Sequence, residues 1–325
     1  MPYAGISSVL AWNTGGTNET NKAFGHAQVL TDASATQNIE GLFTLGQRTF
    51  ATSVAKMYDV TLGVEAILAN PWIFKLLLGN MTTTGSQAPY EHTFTMANTL
   101  PTFTTKITND ALTYLRTFGN CKINSMTMTF TAGEPVRMRF EIFSSTGNMD
   151  AYSGSKISAV VESKSPYVTQ GLTLLIAGMT SYRRFNTLEF TVNNNLEKVP
   201  VLQSRYPEYI VEKNFVVTGR LSGLQVDDDF LKYFYGSATA TGPQANPASV
   251  GPIEIDLQNT TPITGGEYEQ IKIYIGKTDP NTVGKGVYLN THNMPMNPTE
   301  VINEDMDFIA DSMCVWAKNG NSIMP

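Results

Sequence analysis

His26, His92 and His292 are the histidines of this chain, and they stand too far apart in sequence to form a ligand motif. A catalytic zinc or an activated nucleophile needs an imidazole beside a second ligand or a nucleophile, and no HExxH or GxSxG pattern accompanies any of the three. His92 precedes Thr93-Phe94-Thr95, a strand-like stretch in which a structural or exposed role is expected. Glu267/Glu269 and Asp305/Asp307 have the i, i+2 spacing that sets two carboxylates on one strand face, as a glycosidase pair requires. Solvated strand edges account for them more simply. Asp227-Asp228-Asp229 precedes an apolar run, where carboxylates complement the positive end of a helix. Cys121 and Cys314 form no ligand spacing and are expected reduced and packed, with a mutual disulfide left open. No glycine-rich phosphate loop is present. Neither catalysis, nor a metal, nor a cofactor is expected.

The composition points the same way. Charged residues make up 15% of the 325-residue chain, against roughly 25% in an average soluble protein. A polar but weakly charged surface suits a protein whose surface is largely covered by partners. The net charge of −6 and the lack of any basic run exclude a protein that grips nucleic acid by neutralising phosphates. The longest apolar stretches, Pro71 to Leu78 and Leu172 to Met179, fall short of the roughly 20 residues that span a bilayer. The segment MPYAGISSVLAW lacks the basic start of a secretory leader, so synthesis and assembly in the cytoplasm are expected.

The elements that would position any site come from an internal repeat. Set against itself at the offset that joins Asn38 to Asn195, the sequence matches without a gap from Asn38 to Gly85. The identities include Glu40/Glu197, Leu45/Leu202, Arg48/Arg205, Lys56/Lys213, Val60/Val217, Thr61/Thr218, Lys75/Lys232 and Gly79/Gly236. Asn98-Thr99-Leu100-Pro101 then meets Asn259-Thr260-Thr261-Pro262 after four more residues, which a loop insertion would explain. This predicts two domains, residues 1–150 and 151–325, joined through the polar stretch from Ser144 to Ser165.

Each domain reads as strands with one short helix. Met126, Met128 and Phe130, then Val136, Met138, Phe140 and Ile142, alternate with Thr127, Thr129, Arg137, Arg139 and Glu141, a hairpin with one buried face. Leu188, Phe190 and Val192 alternate likewise with Thr187, Glu189 and Thr191. Asn70 and Pro71 suit a helix start and Gly79 its end; Asp227-Asp228-Asp229 and Gly236 hold the matching places. Because the first domain has Asn70-Pro71-Trp72 there, a metal role for the three aspartates is disfavoured.

The order Asn-x-Glu, LxxR, a strand ending in Val-Thr, a helix closing on Leu-Leu-Leu-Gly or Tyr-Phe-Tyr-Gly, and a polar strand resembles the tail tube proteins of tailed bacterial and archaeal viruses, in particular the type with the domain duplicated. NTLEFTVNNNLEKVP, SRYPEYIVEKNFVVTGRL and FLKYFYG carry it in the second half; DVTLGVEAILANPWIFKLLLG and CKINSMTMTFTAGEPVRMRFEIF carry it in the first. The resemblance implies a mainly β fold: two tandem β-sandwich or half-barrel domains, each with a short flanking helix. It implies a non-enzymatic subunit of the virion tail, closing as a trimeric ring of pseudo-sixfold symmetry whose rings stack into a tube. Roughly 24 strands at about 4.8 Å spacing, tilted near 45°, give a backbone diameter of roughly 50 Å, wide enough for duplex DNA to pass without specific binding. Other tail proteins would meet the tube ends. Thr127, Thr129, Thr187, Glu189 and Thr191 are the candidate lumen lining, in which case Arg137 and Arg139 need carboxylate partners. The arms, residue 1 to about Thr36 and about Thr278 to Pro325, are expected to order only on contact with neighbouring subunits. Two other readings compete: a capsid decoration or sheath component, and a carbohydrate-binding β-sandwich module suggested by Tyr206, Tyr209 and Tyr235.

Overall fold

The computed structural model describes residues 8–14, 21–109, 114–151, 163–176, 185–225, 227–246, 248–263, 265–295 and 302–321. The first half runs β1 (Ser8–Asn13), β2 (His26–Thr36), β3 (Ile39–Phe43), β4 (Phe50–Ala55), β5 (Asp59–Ile67), α1 (Ile73–Leu78), β6 (Gly79–Thr84), β7 (Tyr90–Met96), β8 (Phe103–Asn109), β9 (Tyr114–Thr131), β10 (Arg137–Ser144) and β11 (Asn148–Ala151). The second runs β12 (Thr173–Ile176), β13 (Phe185–Asn193), β14 (Glu197–Val199), β15 (Tyr209–Val211), β16 (Val216–Leu224), α2 (Asp229–Tyr235), β17 (Ile253–Pro262), β18 (Tyr268–Ile275), β19 (Tyr288–Asn293), β20 (Asn303–Ala310) and β21 (Met313–Asn319). The fold is mainly β, built of antiparallel sheets packed as a sandwich.

The largest sheet has the order β19-β20-β16-β13-β9-β10-β5-β2, to which the first part of β9 adds β8, β11 and, through β8, β1. Its alternation is the one the sequence predicts. Met126, Met128, Phe130, Met138, Phe140, Ile142, Leu188, Phe190 and Val192 are all buried, because period-two apolar residues fall on one face of a pleated sheet. Gly219 lies on that face between Phe190 and Phe308. A methyl there would come within 2.3 Å of the Phe308 ring and 2.6 Å of the Glu189 carbonyl, so the close packing of these strands needs glycine.

The path contains one four-strand order twice. β2 lies on β5 with Thr36 opposite Asp59 and Ser34 opposite Thr61; β13 lies on β16 with Asn193 opposite Val216 and Thr191 opposite Thr218. Phe143 of β10 then faces Thr61, as Ile309 of β20 faces Thr218. The next strand bulges at Asn124 in one set and at Asn290 in the other. Local backbone geometry repeats as well. Asn38 and Asn195 have φ of 46° and 45° and donate their side-chain N–H to Met57 O and Asn214 O at 2.8 and 2.7 Å. Gly46 and Gln203 share positive φ, and Lys56–Glu40 and Lys213–Glu197 are matching ion pairs.

The second sheet, β12-β17-β18-β21-β7-β6, draws on both halves, since β7 pairs with β21. Asn98–Pro101 lies between β7 and β8, whereas Asn259–Pro262 ends β17, which neighbours β12 and β18. The helices start slightly later than predicted. Trp72 N–H donates to Asn70 Oδ1 at 3.3 Å and α1 begins at Ile73. Gly79 and Gly236 end the two helices at φ of 101° and 122°, values that favour glycine. Asp229 stands in the first turn of α2, and Lys232 pairs with Asp228 at 2.7 Å.

The arms are a correction. β1 and β2 belong to sheets, and beyond Thr278 β19, β20 and β21 are integral strands with Met306, Phe308, Met313 and Val315 buried. Short apolar alternations, hidden among Asn, Gly and Pro, suffice to bury them within the chain itself. The outer parts, residues 1–7, 15–20, 296–301 and 322–325, lie outside the described residues, as do residues 152–162 of the expected joint.

Candidate functional site

The face of the large sheet opposite the core is where the candidate residues meet. The register sets Thr187 against Thr131, Glu189 against Thr129 and Thr191 against Thr127. Thr127 and Thr191 hydroxyls are 2.8 Å apart, and Thr129 donates to Glu189 Oε2 at 3.1 Å. All five candidates thus form one patch at the junction of β13 and β9. Around it, one transverse row reads Thr291, Asp307, Arg220, Glu189, Thr129, Arg137 and the next Ile309, Thr218, Thr191, Thr127, Arg139, Glu65.

The arginines of this face have carboxylates at hand. Arg139 meets Glu65 at 3.5 Å, Arg137 meets Glu134 at 3.6 Å, and Arg220 donates to Asp305 Oδ2 at 2.7 Å. Hydrogen bonds from Ser222 and Arg220 hold the Asp305 carboxyl below its usual range against the opposing effect of burial. The guanidinium of Arg220 is raised chiefly by its hydrogen bond to Asp305. With Asp32, Glu65, Glu141, Glu189, Asp305 and Asp307 against Arg137, Arg139 and Arg220, the face carries surplus negative charge. Sequence reasoning saw Asp305/Asp307 as a pair but missed that they share a face with Glu189 and Arg220, because only the register joins them.

The remaining chemical groups are held as structure. His92 is buried, in hydrogen-bond contact with Thr83 Oγ1 at 2.9 Å and Asn319 Oδ1 at 3.1 Å, and edge-on to Trp72. His26 contacts Lys164 O, and His292 meets Glu304 at 2.7 Å. Glu269 is a correction: it is buried rather than on a solvated edge, paired with Lys164 at 2.5 Å, while Glu267 pairs with Lys318. Cys121 and Cys314 are free and buried; burial pushes both thiols up, Cys314 to about 12, which keeps them protonated and unreactive at neutral pH. Among the described residues no three His, Cys, Asp or Glu side chains gather to hold a metal, and no helix is long and apolar enough to cross a membrane.

Among the described residues the sheet also has two open rims. β2 ends the path at one side and β19 at the other, and an unpaired strand edge is a template for another strand. Beside β2 the β3–β4 hairpin exposes Ile39, Phe43, Leu45 and Phe50. In the second half the β14–β15 hairpin is instead docked on the first. Lys122 Nζ donates to Ile210 O at 2.9 Å and Glu212 Oε1 at 2.6 Å, Lys198 pairs with Asp59, and Tyr206 lies edge-on to Tyr58 at 5.4 Å. Burial pushes the Glu212 carboxyl up, but hydrogen bonds from Lys122 and the Leu100 N–H outweigh it and hold it below its ordinary value.

Comparison with curated proteins returns no match. The family model described as "Phage tail tube protein" matches residues 10–287, a span that takes in every element from β2 to β18 in chain order, with both hairpins and both helices, and ends before β19. With more than half of its length matched, the chain belongs to the phage tail tube protein family.

Proposed function

We propose that the chain consists of two copies of one tail-tube domain and that three chains close into a ring of pseudo-sixfold symmetry, the rings stacking into the tube of a virion tail. The observation that carries this reading is the path β19-β20-β16-β13-β9-β10-β5-β2. It joins one four-strand set to the next through β13 on β9, and its free ends, β19 and β2, are the same two kinds of rim left without a partner. A head-to-tail contact of this type closes a ring when the rotation permits. Three chains would supply roughly 24 strands and, at about 4.8 Å spacing and a tilt near 45°, a barrel roughly 50 Å across.

In that barrel Thr127, Thr129, Thr187, Glu189 and Thr191 face the lumen. Surplus carboxylates repel DNA phosphates, the hydroxyls of Thr127, Thr129 and Thr191 are uncharged and engaged with one another or with Glu189, and arginines tied to carboxylates offer little counter-charge. Duplex DNA then passes during ejection without being held. The subunit does no catalysis and needs no cofactor; it assembles in the host cytoplasm, and other tail proteins cap the tube ends. Electron microscopy and native mass spectrometry of the purified chain test this: hollow cylinders built of three-chain rings are expected, and a monomer that stays globular at all concentrations would overturn it.

A further inference from the structure

We infer that the contact between neighbouring chains repeats the contact between the two halves of one chain, with Ile39 of one chain seated on Asn290 and Ile309 of the next; this rests on the ring reading above. The internal contact is explicit. Asn193 pairs with Ser125 and Thr191 with Thr127 along β13 and β9. Asn124, bulged out of β9, accepts Asn194 N–H on its backbone oxygen at 2.8 Å and Leu196 N–H on its side-chain oxygen at 2.9 Å. Leu196 is thereby buried with Leu100, Ile210 and Phe143.

The bulged asparagine, Leu196 and the aromatic ring of this contact have counterparts at the open rims, whereas Ile210 maps onto Ser53. The offset that joins Asn38 to Asn195 takes Leu196 to Ile39, and the strand register takes Phe143 to Ile309 and the bulged Asn124 to the bulged Asn290. Leu196 is 8% exposed, yet Ile39 is 63% and Ile309 42% exposed, and Asn290 is exposed too. These are the halves of one apolar contact on opposite rims of the molecule. Carrying the register across puts Thr36 of one chain opposite Thr291 of the next and Ser34 opposite Asn293. Ile39 N–H then donates to Asn290 Oδ1, and the Ile39 side chain covers Ile309. Arg205, which donates to Lys56 O and Gln37 O within the chain, has Arg48 as its counterpart, aimed at Lys213 O and Asn194 O of the neighbour.

The two contacts differ in charge. The internal one is tied by Lys122 with Glu212 and by Lys198 with Asp59. The counterparts of those residues are Tyr288 with Ala55 and Gly41 with Val216, all uncharged. The chain-to-chain contact is therefore apolar at the place where the internal one is ionic. That suits an association that must persist across changes of salt.

Disulfide trapping in the full-length chain tests the register. Directly opposed strand residues have Cα atoms within disulfide reach, whereas positions two residues out of register lie at or beyond its limit. The native cysteines are buried and do not compete. With Thr36→Cys and Thr291→Cys in the assembled protein, mild oxidation is expected to give covalently closed rings that open on reduction, and Thr36→Cys with Asn293→Cys to give little. Tubes that form but cross-link no better with the matched pair than with the shifted one would overturn this register and leave the ring reading standing. A chain that never assembles, even without substitution, would remove both.

Discussion

Ile309→Asp is expected to leave the isolated chain folded and to raise the concentration needed for assembly by about 100-fold or more. Ile309 lies on the open face of β20 beside Tyr288, and both are more than two-fifths exposed in the single chain. A carboxylate there stays in water and costs the monomer little. On closure the same carboxylate would enter an apolar contact without a cationic partner, a penalty on the order of 3 kcal/mol or more at each junction. Thermal melting of the monomer checks the first half and sedimentation against concentration the second. Unchanged assembly would mean that this part of the β20 surface stays open in the tube.

Phe190→Ala acts on the opposite face and should have the opposite signature. Phe190 is fully buried on β13, with its ring 5.9 Å from that of Phe130 and nearly parallel to it, across the junction of the two halves. Removing it leaves a cavity that Gly219, which has no side chain to move in, cannot fill. A loss of about 3–5 kcal/mol is expected from such a truncation, measured by denaturant unfolding of the unassembled chain. A loss below about 1 kcal/mol would show that the junction repacks freely, against the close packing of Phe190, Gly219 and Phe308.

Much of this architecture was legible in the sequence. The alternation of Met126, Met128 and Phe130 with Thr127 and Thr129 fixes which residues face the core, because the strand period is two. The repeat joining Asn38 to Asn195 set Gly79 against Gly236, and both end a helix. What stayed hidden depends on pairing over long distance. Nothing local to YEHTFTM says that β7 will lie on β21, more than two hundred residues on. The i, i+2 spacing of Glu267 and Glu269 speaks of one face but not of whether that face is wet; Lys164, from a distant segment, makes it possible to bury Glu269. The strands beyond Thr278 were obscured by their polar surroundings, although Met306, Phe308 and Ala310 alternate as plainly as the residues of β9.

Two strand rims that water covers in the single chain are expected to be covered by a neighbour in the tube. Backbone hydrogen exchange, compared between monomer and assembled tube, reads this directly at residues 32–36 of β2 and 291–293 of β19. The amides there that are not bonded to β5 or β20 should exchange rapidly in the monomer and become strongly protected together on assembly. Amides at either rim that keep exchanging at the monomer rate in fully formed tubes would contradict it.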